Sequence, residues 1–285
     1  MRYETPSTTR EAAALLENEA GTAFVLAGGT DLLVRMKLGQ IEPALLVDIK
    51  RIPAMGSITH SARGTRIGAA VSGAELGEHK AAAKDWPGVV EATNLIGSDQ
   101  VQSRCTMVGN LCNASPAADS VPAMIAAGAK AVVVNRSGRR TVPVEKIVTG
   151  PGQTSLHKGE VIEAIILPAR PARSADAYLR FIPRTEMDIA VVSAGVNLTL
   201  ERGRVKSARV VLGAVAPTAV LVPAAARAII GTRLDDEALE RLGVACSAAC
   251  NPIDDKRGTI EYRTKVAAVI AKRAAKIAFQ RAGGA

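Results

Sequence analysis

The first 55 residues alternate apolar runs with an amphipathic stretch, a pattern typical of strands joined by helices. Residues 9–19 carry apolar side chains at helical spacing and predict an amphipathic helix. Residues 22–26 and 44–49 are short apolar runs that predict buried strands, and 32–37 predict a helix between them. Together they form a compact β-α-β-like unit.

Further along, apolar runs bounded by turn residues continue this alternation. We expect strands over 66–70, 130–135 and 161–167, and helices over 77–98 (broken at Pro87-Gly88) and 121–127. Residues 100–118 show little periodicity and many Gly, Asn, Ser and Pro residues, and we expect a loop there. Loop-rich stretches of this length inside a domain are usually functional.

Residues 169–176 have the composition of a linker, and the pattern changes after them. The chain is therefore divided into a domain over 1–172, with sublobes about 1–55 and 56–172, and a domain over 173–285. In the second domain we expect strands followed by helices, which makes the whole chain α+β. The strands are 178–182, 190–201 and 204–214, with a hairpin turn at Arg202-Gly203, and the helices are 224–230, 235–249 and 262–281.

Charge and aromatic content limit the choice of partners. The net charge is +9, and the basic excess lies in the second half of the chain. This excess would suit an anionic cofactor, an acidic partner subunit or simply a solvated surface. Aromatic residues make up 2% of the 285 residues, and no run of five basic residues occurs, so base stacking on a nucleic acid is not favoured.

The cysteines and the apolar runs bear on the compartment. The chain opens on the polar sequence Met1-Arg2-Tyr3-Glu4 and has no apolar stretch of about 18 residues, so we expect neither a signal peptide nor a membrane span. The four cysteines then indicate a reducing, cytoplasmic location.

The strongest local motif is the loop 27–32, Ala-Gly-Gly-Thr-Asp-Leu, directly after a predicted strand. Paired glycines let backbone N–H groups approach a phosphate, and Thr30 adds a hydroxyl. The motif is neither a G-x-G-x-x-G fingerprint nor a Walker A loop. Taken alone, two adjacent glycines more often form a plain turn.

A second motif lies about 75 residues later, over 106–119. It combines hydroxyls, amides, a glycine and a carboxylate, which suits a polar ligand with phosphates and hydroxyls, although a polar surface loop has the same composition. The three histidines lack metal-ligand spacing, and no G-x-S-x-G elbow occurs, so metal and hydrolase chemistry are not indicated.

Taken together, the two motifs resemble those of the FAD-binding medium subunit of the molybdenum hydroxylases, the xanthine dehydrogenase and aerobic carbon monoxide dehydrogenase relatives. The family pattern is AGG(T/H)(D/S)L followed by T-x-G-G-N…ASP..D. Later landmarks follow in the same order: Arg184–Ala190, Leu212–Thr218, and Pro252–Asp255 with Tyr262-Arg263. The resemblance covers nearly the whole chain.

The resemblance implies a two-lobed FAD-binding domain of the vanillyl-alcohol-oxidase/PCMH type, followed by a smaller α/β domain with an antiparallel sheet and helices. It implies no catalytic residue and no metal ligand in this chain. The implied cofactor-binding residues are Val25, Leu26, Ala27, Gly28, Gly29, Thr30, Asp31, Leu32, Ile96, Thr106, Val108, Gly109, Asn110, Ser115, Asp119, Ile162 and Arg180. Val108 replaces the family's first glycine and cannot adopt a positive φ without strain. Cys112 is interpreted as a buried structural thiol.

In function, the resemblance implies an electron-transfer subunit of an oxidoreductase. Electrons would come from [2Fe–2S] clusters on a small subunit, a large subunit would carry molybdopterin, and NAD or another compound would be the acceptor. A dimer of heterotrimers is the expected assembly. Three alternatives stay open: a stand-alone FAD-dependent oxidoreductase, a cofactor-free assembly subunit, and a basic nucleic-acid-binding protein, which would show steep salt dependence.

Overall fold

The computed structural model describes residues 1–284 and begins with a small parallel sheet. Strands β1 (Arg2–Glu4), β2 (Ala23–Leu26) and β3 (Leu45–Asp48) lie in the order β1-β3-β2, so β2 is at an edge. Helices α1 (Thr9–Asn18) and α2 (Leu32–Lys37) connect them, as parallel strands require. The predicted β-α-β unit is confirmed.

A five-stranded antiparallel sheet follows, with a group of short helices inserted between its second and third strands in sequence. The sheet order is β4-β5-β10-β6-β7, and β8 pairs with β9 beside it. In chain order the elements are β4 (Ile58–Ser61), β5 (Gly64–Gly68), α3 (Gly73–Glu78), α4 (Lys80–Asp85), α5 (Pro87–Thr93), α6 (Asp99–Gln102), α7 (Met107–Asn113), α8 (Ser120–Ala126), β6 (Lys130–Val134), β7 (Arg139–Pro143), β8 (Val148–Gly150), β9 (Gln153–Thr154) and β10 (Val161–Pro168).

The last third of the chain forms a four-stranded antiparallel sheet with three helices packed on one face. The strands lie in sequence order, and the tight β12–β13 turn at Arg202-Gly203 has positive φ at both residues. The elements are β11 (Ser174–Phe181), β12 (Val192–Glu201), β13 (Arg204–Gly213), β14 (Val220–Leu221), α9 (Pro223–Ile229), α10 (Asp236–Ala248) and α11 (Ile260–Arg281).

Two buried clusters support this arrangement. The first joins the two N-terminal sheets with the inserted helices, and the second lies between the last sheet and α9–α11. The other face of the last sheet packs against α8: a Cβ on Gly195 would lie 2.8 Å from the Pro122 carbonyl oxygen. Small residues in β12 therefore allow the two parts to approach closely.

Two expectations are corrected. The stretch 100–118 is not all loop, because it contains α7 and the end of α6; Met107, Val108 and Leu111 are buried on one face of α7, a short apolar pattern interrupted by Gly109 and Asn110. The linker is shorter than 169–176, since β11 already begins at Ser174.

Among the described residues, no helix is both long enough and apolar enough to span a membrane. Within residues 1–284 there is also no cluster of three or more His, Cys, Asp or Glu side chains arranged to hold a metal ion.

Candidate functional site

A cavity of about 560 Å³ lies between the edge strand β2 and helix α7. The glycine loop 27–31 closes one end, and segment 152–162 forms a further wall. Thirteen of the seventeen predicted site residues line it: Val25, Ala27, Gly28, Gly29, Thr30, Asp31, Leu32, Ile96, Thr106, Val108, Gly109, Asn110 and Ile162. The fold thus brings two motifs far apart in sequence to one cavity of ordinary ligand-site size.

Two features fix the conformation of the glycine loop. Gly28 packs directly on the turn that precedes the second motif. A Cβ on Gly28 would lie 1.9 Å from the Arg104 carbonyl oxygen in that turn. Gly29 adopts φ +75°, a conformation that favours glycine. Among the described residues, the backbone N–H groups of Gly28, Gly29 and Thr30 have no hydrogen-bond acceptor. Free N–H groups at a cavity wall are suited to binding an anion.

Behind the loop, a charged side chain holds the loop's carbonyl oxygen. Lys50 Nζ donates to the Ala27 carbonyl oxygen at 3.3 Å and pairs with Asp48 at 2.8 Å. Asp48 also accepts from the Tyr3 hydroxyl. Burial favours the neutral acid, but the hydrogen bonds from Lys50 and Tyr3 outweigh it and lower the pKa of Asp48. The loop is therefore tied to the end of β3.

The second wall is the first turn of α7. Thr106 caps the helix by accepting from the Gly109 N–H at 2.8 Å. Val108 is the second residue of this helix and needs no positive φ, so the departure from the family's glycine causes no backbone strain. Asn110 Oδ1 accepts from Ser120, which leaves its Nδ2 as a donor at the cavity.

One contact joins the two motifs directly: Asn113 Nδ2 donates to Asp31 Oδ1 at 3.1 Å. Burial raises the pKa of Asp31, and nearby Arg35 partly offsets this. Both residues line the cavity. The loop, α7 and Arg35 of α2 therefore form a polar wall with donors and charges of both signs.

Four predicted residues do not line the cavity. Leu26 is buried behind the loop, and the Ser115 hydroxyl accepts from the Ala117 N–H. Asp119 and Arg180 pair at 2.7 Å, and Asp119 also accepts from Tyr178 at 2.9 Å. Burial raises the pKa of Asp119 to about 6, against the opposing effect of Arg180. Since Ser120 follows Asp119 directly and bonds Asn110, this buried network supports α7 from behind.

Comparison with known families settles what kind of chain this is. Residues 1–170 match the FAD binding domain in molybdopterin dehydrogenase, and residues 177–278 match the CO dehydrogenase flavoprotein C-terminal domain. The chain is an FAD-binding medium subunit of the molybdenum hydroxylase family. The resemblance noted from the two motifs is confirmed, and with it the assignment to the oxidoreductases.

The relatives of this medium subunit match it from end to end. It is 33% identical over 279 residues to the carbon monoxide dehydrogenase medium chain of Hydrogenophaga pseudoflava, covering 98% of this chain and 97% of the relative. It is 28% identical to the xanthine dehydrogenase FAD-binding subunit of Escherichia coli O157:H7, covering 99% and 97%.

Solved structures agree with the sequence relatives. A carbon monoxide dehydrogenase structure from Hydrogenophaga pseudoflava, lacking the Mo-pyranopterin moiety of the molybdenum cofactor, superposes with a TM-score of 0.94 at 34% identity, covering 99% of this chain and 98% of that one. Quinoline 2-oxidoreductase from Pseudomonas putida 86 superposes at 0.91 and 25% identity, with the same coverage. The mixed helix-and-sheet architecture of the medium subunit is therefore confirmed.

The sequence did not predict several cavity residues of this medium subunit. Arg35 lies one turn after the glycine loop, and helical spacing alone would place it near the loop. His157 and Lys158 lie in a segment without a recognisable motif, and only long-range packing brings them to the cavity. The interpretation of Cys112 as a buried structural thiol is wrong, because the residue is exposed and lines the cavity.

Proposed function

We propose that this chain binds FAD in the cavity between β2 and α7 and transfers electrons within a molybdenum hydroxylase complex. The observation that carries the proposal is the set of N–H groups without an acceptor at Gly28, Gly29 and Thr30, three residues that line the cavity. The two phosphates of the FAD pyrophosphate accept several hydrogen bonds. Backbone N–H groups can donate these hydrogen bonds without the burial of a charged Lys or Arg side chain.

The other walls fit the remaining parts of FAD. Ile96 and Val25 offer apolar surface for planar rings, while Thr30 and Asn110 offer side-chain donors. Bound FAD supplies the redox chemistry, accepting electrons singly or in pairs; the residues of this chain bind and orient it. The chain needs no acid–base residue of its own for that role.

We also infer that the chain is divided into domains over 1–172 and 173–285, and that the first of them has the vanillyl-alcohol-oxidase/PCMH type of fold.

The proposed partners come from the relatives. By analogy with the carbon monoxide and xanthine dehydrogenases, electrons would enter from a small subunit with [2Fe–2S] clusters, and a large subunit would carry molybdopterin. NAD or another compound would accept the electrons, in a dimer of heterotrimers. The cytoplasmic location expected from the cysteines stays a prediction.

Titration of the purified, FAD-stripped full chain with FAD tests the proposal. We expect saturable binding of about one FAD per chain, followed by absorbance and by the quenching of flavin fluorescence, because one cavity carries the free N–H groups. Affinity purification of the chain from its native cells should then yield a large and a small subunit, and reduced holo-complex should pass electrons to an added acceptor.

Each alternative predicts a different result. A cofactor-free assembly subunit would join the complex normally yet bind no FAD, alone or assembled, and that result would overturn the proposal. A stand-alone oxidoreductase would turn over an alcohol or sugar without partner chains. FAD binding that depends on the large and small subunits would leave the proposal intact.

A further inference from the structure

Helix α2 directly follows the glycine loop and buries none of its residues. Four of its six residues are apolar, and Leu33 and Val34 are exposed together with Leu38, the residue that ends the helix. A surface helix of this composition normally packs an apolar stripe against the body of the protein. Among the described residues, neither buried cluster includes any part of 32–38, so neither cluster covers the apolar surface of α2.

The exposed side chains lie on one face of the helix. Leu33 and Lys37 are four residues apart, as are Val34 and Leu38, and residues at this spacing are neighbours on a helix surface. These four residues form the α2 face. Val34 and Leu38 are 53% and 65% exposed, so a docked partner would cover them most. The helix contains no acidic residue, and Arg35 and Lys37 make it positively charged.

The α2 face borders the glycine loop and the cavity behind it. A Cβ on Gly29 would lie 3.0 Å from Leu33 Cδ1, so the Leu33 side chain rests on the loop. Leu32 and Arg35, on the other side of the helix, line the cavity. A protein bound to the α2 face would therefore be separated from a ligand in the cavity by the width of one helix.

We propose that the α2 face is the docking surface for the small subunit that carries the [2Fe–2S] clusters. The inference rests on the proposed function, because it assumes that electrons reach bound FAD from such a subunit. Electrons pass between two redox centres only over a short distance, so the subunit that donates them must bind a surface that borders the cavity. The α2 face is such a surface, and its exposed apolar side chains favour a lasting contact.

The chemistry of the α2 face distinguishes between possible occupants. Apolar side chains beside a lysine fit a partner surface with an apolar depression edged by carboxylates. A second copy of this chain fits less well, because a two-fold contact between two α2 faces would bring the two Lys37 side chains together. The cavity wall at His157 and Lys158 is also exposed, but its polar residues offer less apolar surface to a permanent partner.

Competition between variant and wild-type chains in the native cells tests the proposal. Full-length chains with different affinity tags are produced together, so that they compete for the same small subunit. Val34→Asp and Leu38→Asp place a charge on the α2 face, and Val244→Asp makes the same change at an exposed site in α10. Mass spectrometry identifies the subunits bound to each tag, and iron content measures the clusters. The thermal midpoint of each isolated chain shows whether it is folded.

We expect the wild-type chain to capture about tenfold more small subunit than Val34→Asp or Leu38→Asp, because each change buries a charge at the centre of the contact. Val244→Asp should compete equally with wild type. Lys37→Glu should also lose the competition, since it repels the carboxylates of the partner, and Lys37→Arg should compete equally.

Three results would overturn the inference. In the first, folded Val34→Asp and Leu38→Asp chains capture as much small subunit as wild type does. In the second, they lose the large subunit while keeping the small one. In the third, the isolated wild-type chain is a dimer that either change dissociates, which would make a second copy the occupant. The flavin content of the wild-type complex is measured separately. A complex with clusters but no FAD removes the proposed function as well, whereas these results in a complex that contains FAD remove the inference alone.

Discussion

At the scale of single residues, the glycine loop depends on a side chain that does not line the cavity. Lys50 holds the Ala27 carbonyl oxygen from behind and is itself held by Asp48. Because Lys50 fixes that oxygen, it also restrains the following residues Gly28–Thr30, which line the cavity and whose N–H groups have no acceptor. Lys50 is thus a positioning residue, and its effect on the cofactor should be indirect.

Lys50→Met should weaken FAD binding about three- to tenfold, the range expected from losing one charge-assisted hydrogen bond on a partly exposed side chain. Lys50→Arg, which can still reach both oxygens, should recover most of the affinity. Lys84→Met removes the same charge from an exposed position in α4 and should leave FAD binding unchanged. Equal affinities of Lys50→Met and wild type, by fluorescence titration, would exclude the positioning role.

At the scale of elements, the site depends on how closely the glycine loop approaches the turn before α7. Gly28→Ala would place a Cβ 1.9 Å from the Arg104 carbonyl oxygen, so the loop must move away from α7. We expect FAD affinity to fall more than tenfold and the unfolding free energy to fall by about 1–3 kcal/mol.

The matched control for that variant is Gly138→Ala, in the β6–β7 turn, where a Cβ meets no atom within 4 Å and φ is not positive. It should change neither affinity nor stability. Titration with FAD and urea denaturation of both variants measure the two effects. A Gly28→Ala protein that keeps wild-type affinity would mean that this close approach does not shape the phosphate site.

The elements also show what the sequence could predict. Strand β2, its glycine loop and β3 follow from local signals: apolar runs, a Gly-Gly pair and the end of a buried strand. Helix α7 was missed because its apolar face spans only seven residues and is interrupted by glycine and asparagine. Residues 152–160 gave no signal, since their place at the cavity depends on packing between distant parts of the chain, whereas Ile162 lies in a predicted strand.

At the scale of the whole molecule, a buried charged cluster joins the two halves of the chain. Asp176 in β11 accepts from the Val89 N–H at 3.1 Å and pairs with Arg170 at 2.5 Å. Arg170 lies 3.9 Å over the ring of Trp86. At the surface nearby, Arg281 at the end of α11 pairs with Glu91 in α5. The second half is therefore anchored on the inserted helices, whose other contacts shape the cavity.

Asp176→Ala should destabilise the protein by about 3–5 kcal/mol, because it removes the carboxylate that pairs with the buried Arg170. Glu91→Gln breaks a more exposed ion pair and should lower the unfolding free energy by less than about 1 kcal/mol.

The single tryptophan, Trp86, lies in the cluster, so its fluorescence reports on this junction during urea denaturation, while circular dichroism reports on the whole chain. If the cluster makes the two halves one cooperative unit, both signals should change together in wild type and in Glu91→Gln. Separate transitions in wild type, or equal losses of stability in the two variants, would show that the halves are held together elsewhere.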